Sequence, residues 1–300
     1  MIDRATFLVR RKQGIGGSDI AAIIGLSPWR TALDVYLDKV SPEVIETPSA
    51  PIGTGAALWW GSRLEEVIGK AYAEATGRRI QRYNALIRHP EKPYFIGDVD
   101  FLCYCADGRT PATRKGGIRT ERGVEIKNIR YAGEEWGMDG TDEIPAWYLA
   151  QVQWYMGIIP SIQFFDLAPL VSGQELRIYT IERNEEIIAG LQDAGERFWR
   201  DFVEAGNPPP PATAEDVKKL FPAPQAASVT ATPEVQRIVA HVRRLSRLRI
   251  DLTAEEDELK DKIAVAIGDA EELKDADGAV LATFKMEKRG RILRIKKEKE

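Results

Sequence analysis

Two strand-like segments carry charge where a sheet normally buries apolar side chains. The first is Gly97-Asp98-Val99-Asp100 running into Phe101-Leu102-Cys103-Tyr104, and the second is Val124-Glu125-Ile126-Lys127. Alternate side chains of a strand share a face, so Glu125 and Lys127 point one way and Ile126 enters the core. If the two strands pair, Asp100 joins them, and two carboxylates and an ammonium project together from one sheet. Unpaired buried charge costs several kcal/mol, so a core position does not hold such a trio without a purpose. Two carboxylates make a hard-oxygen site for Mg²⁺, and a neighbouring lysine holds or deprotonates a water. The arrangement suits a metal-dependent phosphodiesterase, although so short a pattern also fits a solvated hairpin edge.

Three further segments add to it. Gly14-Ile15-Gly16-Gly17-Ser18-Asp19 leads into Ile20-Ala21-Ala22-Ile23-Ile24-Gly25, with Leu26-Ser27-Pro28-Trp29 behind it. Ser18 or Asp19 is a good N-cap for a short apolar helix ended by Gly25. A helix start behind a glycine turn suits an anion, and Arg10, Arg11 and Lys12 stand just upstream. Next, Leu64, Ile68, Ala71, Tyr72 and Ala75 repeat at helical spacing, with Glu65 beside the stripe. Finally, residues 144–156 read as an amphipathic aromatic helix carrying Gln151 and Gln153. Aromatic stripes are more often core than ligand platforms, but a glutamine buried among them needs a partner.

In this order the segments resemble the YqaJ-like viral recombinase family, the phage-type exonuclease group of the PD-(D/E)XK nuclease superfamily. The matching residues are Ile15-Gly16-Gly17-Ser18-Asp19, Trp60-Gly61 with Glu65, Asp98-Val99-Asp100, Glu125-Ile126-Lys127, and Tyr148 with Ala150-Gln151-Val152-Gln153; the resemblance as a whole covers about residues 8 to 207. The resemblance implies that Asp100 and Glu125 are the principal metal ligands, with the Ile126 backbone carbonyl beside them. It makes Lys127 the residue that orients or activates the attacking water. It sets Glu65 toward a water or second metal and Gln151 near the metal and nucleophile. Arg11 and Ser18 fall where the family keeps residues near a 5′-phosphate. In two places the chain departs from the lambda-type enzymes of the group. Asp98 replaces a serine, and Gly133 stands at the point of an arginine for which Arg130 is the nearest substitute. A carboxylate near a phosphate pocket is repulsive, and Asp98 is also a candidate additional metal ligand.

Composition excludes several classes. The 300 residues are 44% hydrophobic, with no run of eighteen apolar residues to span a membrane. The N-terminal residues lack the apolar stretch of a signal peptide. The two cysteines, Cys103 and Cys105, cannot alone form a zinc or iron–sulfur site, and a reducing cytoplasm is expected. Two histidines far apart argue against a His-metal nuclease. The net charge of −4 looks unsuited to DNA until it is read locally: residues 78–130 hold 12 Lys+Arg against 6 Asp+Glu. Residues 106–123 read as a long basic loop with Arg109, Arg114, Lys115, Arg119 and Arg122. Such a loop either contacts phosphates without sequence readout or is a solvated hairpin tip.

Pro208 to Pro211 end a helix expected around residues 186–205. The expected organisation is a nuclease domain over 1–207, a Pro/Ala-rich linker over 208–232 with room for one helical turn around Ala214 to Phe221, and a C-terminal module over 233–300. In that module Val235, Ile238, Val242, Leu245, Leu252, Leu259 and Ile263 fall near heptad spacing, which suggests a coiled-coil-like helix or helical hairpin. Asp277-Gly278 reads as a turn, with strands at Val280–Phe284 and Arg291–Ile295. The fold class is α/β: a restriction-endonuclease-like core with a mixed central sheet flanked by helices, a helical appendage and a small β element. The expected function is Mg²⁺-dependent DNA hydrolysis, with Mn²⁺ as a substitute. By resemblance it is a 5′→3′ exonuclease on double-stranded ends that supplies single strands to an annealing protein, with a ring trimer as the oligomer. The alternatives are an endonuclease on the same core and a non-catalytic DNA-end-binding protein.

Overall fold

The computed structural model describes residues 4–43, 50–53, 55–83, 85–114, 117–223, 226–288 and 290–297, with backbone alone at 4 and 5. Two compact units divide it, 1–224 and 225–300. The first unit opens with helices α1 (Arg4–Lys12), α2 (Gly17–Ile23), α3 (Ala32–Val40) and α4 (Ala56–Thr76). Strands β1 (Ile80–Arg82), β2 (Ile87–Arg88), β3 (Ile96–Gly97), β4 (Phe101–Cys103), β5 (Thr113–Arg114), β6 (Gly117–Ile118) and β7 (Arg122–Ile129) follow. Then come α5 (Ala146–Ile158), β8 (Phe164–Val171), β9 (Glu175–Leu176), β10 (Tyr179–Glu182) and α6 (Glu185–Phe198). Helix α6 runs on as a π-helical turn over Trp199–Glu204, and α7 is Ala214–Leu220.

The main sheet has the order β1-β4-β7-β8-β10, with β9 also on β8. Only β7 and β8 are parallel; the other neighbours are antiparallel. A parallel pair needs a long crossover, and α5 lies between β7 and β8 in the chain. The expected mixed sheet flanked by helices is therefore present. One face packs Leu102, Phe165 and Leu167 with Ile20, Val152, Met156 and Ile188 of α2, α5 and α6. The other packs Phe101, Val124, Ile126 and Ala168 with Ile68 and Tyr72 of α4. Burying each large apolar side chain contributes about 1.5–3 kcal/mol. Gly69 lets α4 approach the sheet, because a Cβ there would stand 2.7 Å from the Phe101 ring.

Helix α5 differs from the amphipathic expectation. Residues 150–158 are all buried, because the helix is enclosed by the sheet on one side and by α2 and α6 on the other. The first boundary also falls later than residue 207. Thr31 Oγ1 donates to buried Asp216 at 3.0 Å, and Lys219 pairs with Asp34 at 2.7 Å, so α7 belongs to the first unit rather than to a linker.

In the second unit α8 is one helix, Pro233–Ile267, not a hairpin. Thr232 caps it and Pro233 begins it, as Pro at the first helical position favours. It is followed by a three-stranded antiparallel sheet of β11 (Glu272–Lys274), β12 (Val280–Glu287) and β13 (Gly290–Ile295). Gly278 turns between β11 and β12 with φ +85°. No described helix is long and apolar enough to cross a membrane.

Candidate active site

The sheet register assembles the charged trio. Phe101 pairs with Val124 and Leu102 with Gly123, so Asp100, one residue earlier, falls beside Glu125 on the face away from α4. The Ile126 N–H donates to Asp100 Oδ2 at 2.8 Å and locks the two strands at this point. Lys127 Nζ is 2.6 Å from Glu125 Oε1. Gln151 Nε2, from α5, donates to the same oxygen at 2.6 Å and also to the Tyr155 hydroxyl at 2.9 Å. Glu125 is 4% exposed. Its other oxygen, Oε2, is buried with no hydrogen-bond partner among the described residues.

The two glutamines of α5 divide their work. Gln153 is structural, since its amide donates to the Glu182 carbonyl and its oxygen accepts the Asn184 N–H. Gln151 faces the site. Helix α2 comes close to it because a Cβ on Gly17 would meet Tyr155 at 2.7 Å and Gln151 at 2.9 Å.

The carboxylates share too little positive charge. Burial and then the Asp100 charge raise the Glu125 carboxyl well above its ordinary range, and Lys127 only partly offsets this. Asp100 is raised by burial against the pull of Lys127 and the Ile126 N–H. Glu65 rises to about 7 through burial and Asp100, despite its 2.9 Å ion pair with Arg82. Asp98 keeps an exposed edge, yet rises to about 6 through lost hydration and Asp100, with Arg11 opposing. Burial works against the charge of Lys127, but Glu125 and Asp100 outweigh it and hold the ammonium above its ordinary pKa. A cation would relieve all four acids.

The donor set fits a hard divalent ion. Among the described residues no three His, Cys, Asp or Glu side chains close into a cage by themselves. Mg²⁺ does not require one, since it keeps several waters and binds through one or two carboxylates. Asp100 and Glu125, with the orphaned Oε2, meet that need.

The residues expected near a phosphate lie in different settings. Ser18 is not the N-cap of α2. Gly16 takes that place, and Asp19 Oδ2 accepts its N–H at 3.1 Å. The Ser18 hydroxyl instead accepts from Arg11 Nη2 at 2.9 Å. Arg11 also feels the charge of Asp98, so this pair lies at the rim of the carboxylate cluster. Arg130 sits exposed past the end of β7. Arg114 and Arg119 are exposed on or beside a short hairpin, β5–β6, instead of an irregular loop. Buried Ala112 and Thr120 hold the root of that hairpin. Lys115 lies outside the described residues.

Several residues around the site escaped the sequence reading. Buried Asp19 pairs with Lys39 at 2.8 Å and Arg30 at 2.9 Å, and neither Lys39 nor Asp19 exposes its side chain. Burial raises the Asp19 carboxyl, but Lys39, Arg11 and Arg30 reverse this and hold it well below the usual range. Tyr155 orients Gln151, and its place one helical turn after Gln151 was a usable signal. On the α4 face, buried Asp166 accepts from Tyr72 at 2.5 Å, Arg122 at 2.6 Å and Thr180 at 2.8 Å.

Comparison with known proteins adds the following. Residues 6–160 match the YqaJ-like viral recombinase domain. An uncharacterized protein YqaJ of Bacillus subtilis (strain 168) is 30% identical over 211 residues, which is 69% of this chain. The chain spans 59% of the length of that relative. Among solved structures, an alkaline exonuclease from Laribacter hongkongensis is 18% identical with a TM-score of 0.49, over 67% of this chain and 93% of that one. A phage related exonuclease from Haemophilus somnus 129PT is 14% identical with a TM-score of 0.40, over 65% and 96%.

Proposed function

Because the chain belongs to the YqaJ-like viral recombinase family, we propose that it is a metal-dependent deoxyribonuclease acting as a 5′→3′ exonuclease on double-stranded DNA ends. The observation that carries this reading is the buried Glu125 carboxylate, unpartnered at Oε2 and set beside Asp100 and Lys127. A protein that merely bound DNA would gain nothing from so costly a grouping.

Asp100 and Glu125 would hold Mg²⁺, or Mn²⁺ in its place, with the Ile126 carbonyl beside them and Glu65 or Asp98 as further ligands. The bound ion supplies charge neutralisation at the phosphodiester oxygens. The remaining work falls to the side chains. Lys127 stays protonated between its two carboxylates, so it acts as a hydrogen-bond donor that orients the attacking water. Gln151, tied to both Glu125 and Tyr155, fixes the Glu125 rotamer. Arg11 and Ser18 receive the terminal phosphate, and Arg114, Arg119 and Arg130 contact the backbone farther out. Single strands so produced would serve an annealing protein in phage-type recombination.

The test is linear against covalently closed duplex, with and without Mg²⁺. Loss of end label from linear duplex only with Mg²⁺, with closed circles spared, supports the proposal. Linearisation of circles at a comparable rate would replace it with endonuclease action, and metal-independent loss would remove the site assignment.

A further inference from the structure

Trp29 follows α2 in the turn before α3 and leaves 68% of its surface exposed. Single exposed apolar residues need no explanation, but this ring belongs to a stack. It meets Trp147 edge-on, with centroids 5.8 Å apart, and Tyr148 at 6.4 Å. Tyr148 in turn packs on Trp136 at 5.6 Å. The Lys127 ammonium stands 5.2 Å from the Tyr148 centroid. A continuous aromatic row thus joins an exposed indole to the lysine that pairs with Glu125.

The mount is rigid. The Trp29 and Arg30 N–H groups both donate to Ser27 Oγ at 3.3 Å, and Arg30 is pinned to buried Asp19. Trp147 buries its indole N–H without a hydrogen-bond partner among the described residues. Its ring is held by packing on Trp29, on Tyr148 at 5.7 Å and against the core. A fixed, exposed aromatic face linked through Tyr148 to the Lys127 ammonium suits a nucleobase, because every base has a π-face and stacking needs no sequence readout.

We propose that Trp29, backed by Trp147 and Tyr148, is a stacking platform for a nucleobase of the strand whose phosphate is presented to Lys127. The proposal rests on the nuclease reading. It names a side chain that positions DNA through its base, not its backbone, and it implies that the strand is unpaired at that nucleotide.

The experiment compares wild type, Trp29→Ala and Trp29→Phe on linear duplexes in which an abasic residue replaces each of the first few nucleotides in turn. Stacking contributes about 1–3 kcal/mol per base, so Trp29→Ala should raise KM roughly 5- to 150-fold with kcat little changed. Phe should restore most of the loss. In wild type one abasic position should carry a similar penalty, and that penalty should vanish in Trp29→Ala. An unchanged KM in Trp29→Ala, or an abasic penalty equal in both proteins, overturns the proposal. Failure of wild type to hydrolyse any duplex is a different outcome that removes the nuclease reading. Fluorescence then judges the platform: oligothymidylate should quench wild type more than Trp29→Phe, and equal quenching refutes it.

Discussion

Replacing Glu125 by glutamine should abolish hydrolysis and, without metal, stabilise the protein. The 2.6 Å bond from Lys127 to Glu125 Oε1 favours the native carboxylate, and a charge-assisted bond contributes about 1.5–3 kcal/mol. Burial and the Asp100 charge act against it and prevail, since the carboxyl is raised and not lowered. An isosteric amide removes both charge penalties and its oxygen still accepts from Lys127 and Gln151, while its NH2, at the unpartnered place of Oε2, offsets part of the gain. Relief of this kind yields about 0.5–2 kcal/mol, or roughly 1–8 °C in Tm for a unit of this size. The gain depends on pH. A carboxyl raised in the folded state binds more protons there than when unfolded, so wild-type stability falls as pH climbs from the unfolded value toward the folded one. The advantage of Glu125→Gln should thus be small near pH 5 and full above pH 8. All seven tryptophans lie before residue 224, so a fluorescence melt reports the first unit alone. Mg²⁺ at ten times its Kd should add about 1.4 kcal/mol to wild type and almost nothing to the variant. A Glu125→Gln protein that melts below wild type in EDTA at pH 8, or that keeps the Mg²⁺ shift, would refute this account of the site.

Two further outcomes follow from the anion side of the site. Asp19→Ala leaves the buried Lys39 ammonium with the half-exposed Asp38 at 3.2 Å as its one carboxylate among the described residues and frees Arg30, so it should cost about 3–5 kcal/mol and lower Tm by roughly 6–20 °C in the same melt; a loss below about 1 kcal/mol would show that Asp38 alone holds Lys39. Because Asp19 is held below the usual range, its stabilisation should be full at neutral pH and fade only under strong acid. Matched duplexes with 5′-phosphate or 5′-hydroxyl ends should differ by about one to two decades at most, as one charge-assisted contact allows, and Arg11→Ala should shrink the gap; a preference of many hundredfold untouched by Arg11→Ala would assign the phosphate to other residues.

What the sequence disclosed and what it hid follow from the range of the interactions. Asp100, Glu125 and Lys127 were legible because strand alternation is a period-two signal, and one antiparallel register suffices to bring them together. The existence of α2 and its Gly25 stop were legible for the same local reason, although its N-cap is Gly16 and not Ser18 or Asp19, and heptad spacing left a single α8 and a hairpin equally open. Helix α5 was misjudged because amphipathicity assumes one wet face, and the chain wraps α2 and α6 around it. Helix α7 was read as linker because its anchors, Thr31 and Asp34, lie 185 residues away.

The buried Asp19–Lys39 pair shows why the Arg11–Ser18 rim resisted reading more than the Asp100–Glu125–Lys127 cluster. In the sequence Lys39 is an ordinary lysine near the end of a helix, where a cation is expected to face solvent. Nothing local says that α3 folds over α2 and carries that ammonium to a carboxylate 20 residues upstream. Yet this pair fixes the start of α2 and, through the Lys39 bond to the Arg11 carbonyl at 3.3 Å, the backbone of Arg11 as well. Arg11 and Ser18 therefore owe their place at the rim of the carboxylate cluster to charges that never touch the rim. A motif can name Arg11 and Ser18, but the buried ions that aim them become visible only when the helices are packed.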